Sequence, residues 1–266
     1  MLPTVRPLTR WRNPFRPDWK SITPSCGRTG SGFWWIARTT PPGAWRVWSP
    51  GSGAVIHALH GEQQHQRKTD EYLTRGLPKD LKHFLRGEFD LETRLDKRIM
   101  QVLATPRVLA YLSNFLSSDG YCIHYPPMIR FKMAGAEASK LPPHQDWPYN
   151  THMKDFLTVW VPLVVVDEGT GGVVVYEGSH QDGNVQHVAE GSWEAKALAD
   201  LDKYSQLHVH MNPGDILTFP SELLHASAPQ TSSRIRYSID FRVFRAPEDS
   251  TKSFFKAKTQ EIVRVD

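Results

Sequence analysis

Cysteine is nearly missing from this 266-residue chain, which holds only Cys26 and Cys122. Two thiols cannot build a disulfide framework or a cysteine-rich zinc site, and they read as inert thiols in a reducing compartment. Long apolar runs are missing too. The longest, Phe156 to Val166, is bounded by Asp155 and Asp167. A bilayer crossing needs roughly 20 apolar residues, so a membrane span is excluded. The 18 glycines and 20 prolines are too few for a low-complexity chain. Hydrophobic residues at 39% and charged residues at 23% fit a globular protein long enough to bury a core without staples.

Acidic residues are scarce in one region only. Residues 1–50 carry eight Lys/Arg and the single acid Asp18, leaving 24 basic against 27 acidic groups in the remainder. The net charge of +4 therefore belongs to the N-terminal segment and not to the body of the chain. No basic recognition element stands out, so nucleic acid is not an expected partner. The same segment holds eight prolines and six tryptophans but few aliphatics. Proline at this density breaks helices and central strands. Residues 1–55 are expected to be an irregular arm, and residues 56–266 one domain.

Within that domain, helices are expected over 62–118. Leu91, Leu95, Ile99 and Leu103 recur at four-residue steps behind a capping Asp90. Pro106 opens a second helix carrying Val108, Leu109, Leu112 and Phe115. From Tyr121 the period becomes two. Arg130 and Lys132 fall on one face of a strand, with Ile129, Phe131 and Met133 on the other. Further strands are expected at 156–166, 173–176, 205–210, 215–219 and 234–245, separated by Gly/Pro/Asp/Asn clusters. Helices followed by many unevenly spaced strands predict a mainly β fold with flanking helices, a jelly roll.

Signatures of several enzyme classes are absent: no nucleophile elbow, no Walker loop and no HExxH. A weaker signal remains. First-row metals used in oxygen chemistry are often held by two histidines and a carboxylate on one face, with open positions opposite. A His-x-Asp or His-x-Glu pair on extended chain suits this, because residues i and i+2 point to the same side. Three such pairs occur: His60/Glu62, His144/Asp146 and His180/Asp182. The first leads into expected helix and the third follows Gly178-Ser179, a turn. His144 lies between an alternating strand and the apolar run, where the inside of a barrel is expected. The distal histidine is best read as His225, between an apolar strand and the last long strand. His208 and His210 share a strand face, but no carboxylate accompanies them at ligand spacing.

That last strand places Arg234, Arg236, Ser238, Asp240 and Arg242 on one face. A solvated edge strand would look the same. If the face looks inward, Arg236 and Ser238 can bind a carboxylate, the guanidinium acting as a fork.

In order along the chain come Leu141-Pro-Pro-His-Gln-Asp-Trp147, Thr158-Val-Trp-Val-Pro-Leu163, Gly178-Ser-His180, Pro213-Gly-Asp215, His225-Ala-Ser227 and Arg236-Tyr-Ser-Ile-Asp-Phe-Arg242. Together they resemble the phytanoyl-CoA dioxygenase family of Fe(II)/2-oxoglutarate oxygenases, over roughly residues 121–245; the first 50 residues match none of its motifs. The resemblance implies a double-stranded β-helix (cupin-like). It implies that His144, Asp146 and His225 ligate Fe(II), and that Arg236, eleven positions after His225, pairs with the distal carboxylate of 2-oxoglutarate. Thr158 is expected on that same carboxylate, with further hydrogen bonds from Ser238 and Ser227. The implied reaction consumes O2 and 2-oxoglutarate, releases succinate and CO2, and hydroxylates a small-molecule substrate. Related halogenases replace the metal-binding carboxylate with a small residue, so Asp146 implies hydroxylation or desaturation rather than chlorination.

Other residues near this set have plainer readings beside the functional one. Arg130 and Lys132 could contact the cosubstrate or an anionic substrate, or form an exposed strand face. Trp147, Tyr149, Trp160 and Arg242 could line the substrate pocket, although aromatics are more often core. Two rival readings use the same three ligands: a non-catalytic cupin-like binding protein, and a zinc-dependent hydrolase. A carboxylate-clamping Arg236 argues against both. No targeting segment is evident, which makes the cytoplasm the expected compartment. The terminal Val-Arg-Val-Asp266 is not a peroxisomal address, which argues against phytanoyl-CoA itself as substrate.

Overall fold

The computed structural model describes residues 24–25, 35–38, 87–133, 140–190 and 194–265. Chain order begins with β1 (Pro24–Ser25) and β2 (Trp35–Arg38). Among the described residues three helices follow, α1 (Leu91–Arg94), α2 (Lys97–Met100) and α3 (Pro106–Phe115). Next come β3 (Cys122–His124), β4 (Met128–Lys132), β5 (Leu157–Pro162), β6 (Val173–Tyr176), β7 (His187–Glu190), β8 (Glu194–Ala197) and β9 (Gln206–Val209). The last are β10 (Asp215–Pro220), β11 (His225–Ser227), β12 (Arg236–Phe244), β13 (Phe254–Lys256) and β14 (Glu261–Val263).

Nine strands form the large sheet, in the order β1-β2-β10-β5-β12-β3-β13-β14, with β4 also paired to β12. A second sheet, β11-β6-β9, faces it, and β7-β8 form a hairpin. All of these pairs are antiparallel. The expected double-stranded β-helix is present.

Alternation along the central strands explains the layers. Val159 and Val161 of β5 and Tyr237, Ile239, Phe241 and Val243 of β12 pack against Leu103, Val108 and Leu112 of the helical region. That is the outer face of the large sheet. Trp160 of β5 and Leu217 and Phe219 of β10 pack with Val173, Val175 and Val209 of the small sheet. That is the inner face. β12 is thus covered on both sides, and the polar residues on its inner face are enclosed and not solvated.

The helical region and the N-terminal arm each correct one expectation. Leu91 to Leu103 do not share one helix face: α1 and α2 are single turns, Leu91 and Leu95 are 57% and 38% exposed, and only Ile99 and Leu103 are buried. Two aspartates cause the break. Asp90 accepts from Thr93 N, and Asp96 accepts from Arg98 N, so each starts its own turn. The second helix forms as expected from Pro106, with Val108 and Leu112 buried. The expected helices within 62–86 lie outside the described residues. Nor is the N-terminal arm irregular throughout, since β2 pairs with β10 in register Asp215↔Arg38 to Thr218↔Trp35.

Candidate metal centre and its pocket

His144 and His225 come together through the backbone. Each donates its N–H to the other's carbonyl at 3.0 Å, a two-residue antiparallel bridge. The imidazole centroids are consequently 4.2 Å apart. Asp146 is delivered differently from the strand geometry expected. It adopts a helical backbone (φ −81°, ψ −22°) ahead of the short turn Trp147–Tyr149, and its N–H is tied to Ser221 O at 3.0 Å. Convergence of the pair therefore depends on the segment 221–225, which holds both residues from the opposite side.

The three side chains are buried, and their ligand atoms lie within 4.8 Å of one another. Asp146 Oδ1 is 4.0 Å from His144 Nε2, and Asp146 Oδ2 is 3.9 Å from His225 Nε2. His144 Nδ1 bonds Pro142 O at 2.7 Å, and His225 Nδ1 bonds Leu223 O at 3.0 Å. A carbonyl partner requires Nδ1 to carry a proton, which makes Nε2 the candidate ligand atom on both rings. Burial, then the neighbouring His225, pushes the His144 pKa down to about 3, so the ring is neutral at pH 7. Burial opposes ionisation of Asp146, yet Arg242, His225, His144 and the Thr158 hydroxyl hold its carboxyl well below the usual range. Two imidazoles and one carboxylate gathered in this way suit a first-row divalent ion.

The groups around Asp146 fix its orientation. Arg242 Nη2 donates to Oδ1 at 2.8 Å and the Thr158 hydroxyl donates to Oδ2. The hydroxyl of Thr158, a residue expected on the cosubstrate carboxylate, donates here to Asp146, because β5 and β12 pair in the register Arg242↔Thr158. The residue between the ligands, Gln145, is fully buried. Its Nε2 donates to Gly183 O at 2.8 Å and Glu222 O at 2.6 Å, and its Oε1 accepts from Trp147 Nε1 at 2.8 Å and Val185 N at 2.9 Å.

The centre opens into a cavity of about 340 Å³ between the sheets. The inner face of β12 supplies Arg236, Asp240 and Arg242, as the inward reading of that strand predicted. Arg236 is buried, stands 5.3 Å over the Trp160 ring, and donates through Nη1 to Ser238 Oγ at 2.7 Å. Its Nε is buried without a hydrogen-bond partner. Burial brings its pKa down to about 10, so it remains a cation at pH 7. A buried guanidinium with a spare donor beside a metal centre fits one end of a dicarboxylate such as 2-oxoglutarate.

Arg130 and Lys132 both line the cavity. Arg130 is matched by Asp240, at 2.8 Å, and by Glu88, at 3.3 Å. Lys132 donates to Ser227 Oγ, which also accepts from Leu141 N at 2.9 Å. Tyr149, Trp160 and Arg242 line the cavity, whereas Trp147 does not; it is turned toward Gln145 and the edge of His187. Sequence reasoning missed Glu88, His124, His152 and Lys252, which also line it. Of these only His124, a polar residue ending the apolar stretch Tyr121–Ile123, left a trace in the pattern. His180 sits in a 3-10 turn, His187 accepts from Gln145 N, and the His208 and His210 rings are 4.8 Å apart. His60 and Glu62 lie outside the described residues.

Two histidines and one carboxylate on a common face are a ligand set that non-haem iron oxygenases use. A model of the phytanoyl-CoA dioxygenase (PhyH) family matches residues 57–238, and the chain belongs to that family. It is 37% identical over 134 residues to a 1-deoxypentalenic acid 11-beta-hydroxylase of Streptomyces arenae, covering 45% of this chain and 46% of that protein. The corresponding enzyme of Streptomyces exfoliatus is 35% identical over 131 residues, with the same shares covered. The matched region thus spans about half the length of these relatives. The fold is shared with the non-haem monooxygenase ThoJ (TM-score 0.54, 16% identity, 76% of this chain and 78% of that one). It is also shared with the epimerase SnoN in complex with Fe3+, alpha-ketoglutarate and a nogalamycin compound (TM-score 0.55, 15% identity, 81% and 80%).

Proposed function

We propose that this chain is a non-haem Fe(II)- and 2-oxoglutarate-dependent dioxygenase that hydroxylates a small organic molecule and releases succinate and CO2. The observation that carries this reading is the pairing, in one cavity, of the His144–Asp146–His225 cluster with Arg236 and its unpartnered Nε. Family membership and the names of the Streptomyces relatives support hydroxylation of a small acid. A zinc hydrolase or a binding module has no use for the Arg236 guanidinium, which favours the oxygenase over both.

His144, Asp146 and His225 would hold the iron, and Arg236 with Ser238 would hold the far carboxylate of 2-oxoglutarate. With O2, iron and cosubstrate together supply the oxidant that takes a hydrogen from the substrate. The chain's own residues do the positioning. Arg242 and Thr158 keep the Asp146 carboxylate ionised and turned toward the histidines, as groups behind metal ligands commonly do. Trp160 walls the arginine from water. Residues 56–266 would form the catalytic domain. Among the described residues no helix is long and apolar enough to cross a membrane, and the buried free thiol of Cys122 suits the reducing cytoplasm proposed for the chain. The reading is tested by anaerobic addition of Fe(II) and then 2-oxoglutarate. A new visible charge-transfer band, and succinate formation on admitting air, are expected; neither band nor succinate would overturn it.

A further inference from the structure

The polar face of β12 has two ends. Arg236 marks one and Arg242 the other, six residues or about 20 Å further along an extended backbone. Arg242 stands with His124, the last residue of β3, and His152, which follows the Trp147–Tyr149 turn. Both histidines line the cavity, as does Lys252. The two imidazole centroids are 4.8 Å apart and tilted by 55°. Three nitrogens in this group are buried without a hydrogen-bond partner: His124 Nδ1, His152 Nε2 and Arg242 Nε. An unmet buried donor or acceptor costs about 1–3 kcal/mol, and folded interiors rarely keep several together without a reason.

The electrostatics are one-sided. Burial, followed by His152, Arg242, Lys252 and Arg94, pushes the His124 pKa down to about 3, and no carboxylate acts to raise it. Nearer the middle of the cavity, by contrast, Arg130 is already answered by Glu88 and Asp240. The Asp146 carboxylate takes only the Nη2 donor of Arg242 and leaves Nε unused.

We propose that His124, His152, Arg242 and Lys252 form a second anion subsite, separate from Arg236, that binds a carboxylate of the organic substrate. This rests on the oxygenase reading above and names the chemical class that such an enzyme would act on. Of its two full cations, Arg242 is already matched by the Asp146 carboxylate. The group is left with the charge of Lys252 and the N–H donors of two imidazoles, which suits a monoanionic carboxylate better than a phosphate dianion. A cavity of about 340 Å³ that must also admit 2-oxoglutarate limits the acid to a compact one. Because Arg242 also holds Asp146, an acid bound there lies beside the metal ligands with its carbon skeleton over the centre.

The test uses the full chain loaded anaerobically with Fe(II) and 2-oxoglutarate, with cyclohexanecarboxylate and its neutral amide, cyclohexanecarboxamide, as probes. The acid is expected to shift the visible band at concentrations at least tenfold below those needed with the amide. Lys252 is exposed, so Lys252→Ala should fold normally; it and His152→Phe are each expected to cut that preference below threefold. Equal responses to acid and amide, no response to either, or a preference that survives both substitutions would overturn the subsite. Failure of the band itself to form would instead count against the oxygenase reading. Calorimetric titration of the metal-free protein with the same two probes would then still decide the subsite.

Discussion

The Asp146 carboxylate accepts from two side chains, and their effects can be separated by substitution. The Thr158 hydroxyl reaches Oδ2 and the Arg242 guanidinium reaches Oδ1. Thr158→Val keeps the shape of the side chain and removes only the hydroxyl donor. Metal affinity is expected to fall about tenfold, the low end of what loss of a supporting group costs a metal ligand; a competitive Fe(II) titration measures it. Arg236 lies away from the ligands, so Arg236→Ala should leave metal affinity unchanged. The KM for 2-oxoglutarate is expected to rise about 100-fold, near 2.8 kcal/mol. A KM that stays within threefold of the wild type would remove Arg236 from the cosubstrate site. At this scale the sequence was informative about residue identity. His-x-Asp, the distal histidine and the arginine eleven positions later were all readable. The partner of each polar group was not. Thr158 and Arg242 meet on Asp146 only because β5 and β12 pair in one register, and Arg130 finds Asp240 through the register of β4 with β12.

Between the two ligands, Gln145 clamps three segments. Its four hydrogen bonds reach 147, 183, 185 and 222, and it is fully buried. Gln145→Ala would leave two donors and two carbonyls unmet. A loss of about 3 kcal/mol of stability is expected, measured by urea denaturation, because each unmet buried group costs about 1–3 kcal/mol and some would recruit water. Metal affinity should fall with it, since Ser221 and His225 are positioned by the same segment. Strands were the legible elements. The strands expected at 156–166, 173–176 and 215–219 are Leu157–Pro162, Val173–Tyr176 and Asp215–Pro220, so only the end of the first was misplaced by more than one residue. The helical stretch was not, because two aspartates compete for the same backbone donors and cut a plausible periodicity into single turns. Gly172 illustrates a further constraint that spacing alone does not disclose. Its φ of +114° and an approach of 2.5 Å between an added Cβ and Val166 Cγ1 reserve the position for glycine at the cavity wall.

At the scale of the whole molecule, a cavity rich in buried cations and imidazoles makes the fold sensitive to acid. His124 and His144 are both held neutral, chiefly by burial, with pKa values pushed down to about 3 from an ordinary 6.5. Between those limits the unfolded chain binds protons that the folded chain refuses. Stability from this source is complete above pH 6.5 and drains away as pH falls toward 3, by about 1.4 kcal/mol per pH unit for each imidazole. Asp146 acts in the same direction at lower pH: the fold keeps it ionised below the usual carboxylate range, so its contribution is lost as acid protonates it. In the metal-free protein, moving from pH 7.5 to pH 5 should therefore remove about 4 kcal/mol, seen as a lower urea midpoint with an unchanged slope. His124→Gln lacks one titrating ring and should lose about half as much over the same interval. A midpoint that is flat between pH 7.5 and 5, or an identical dependence in His124→Gln, would show that these rings take up protons in the folded state and are not buried neutral beside the centre.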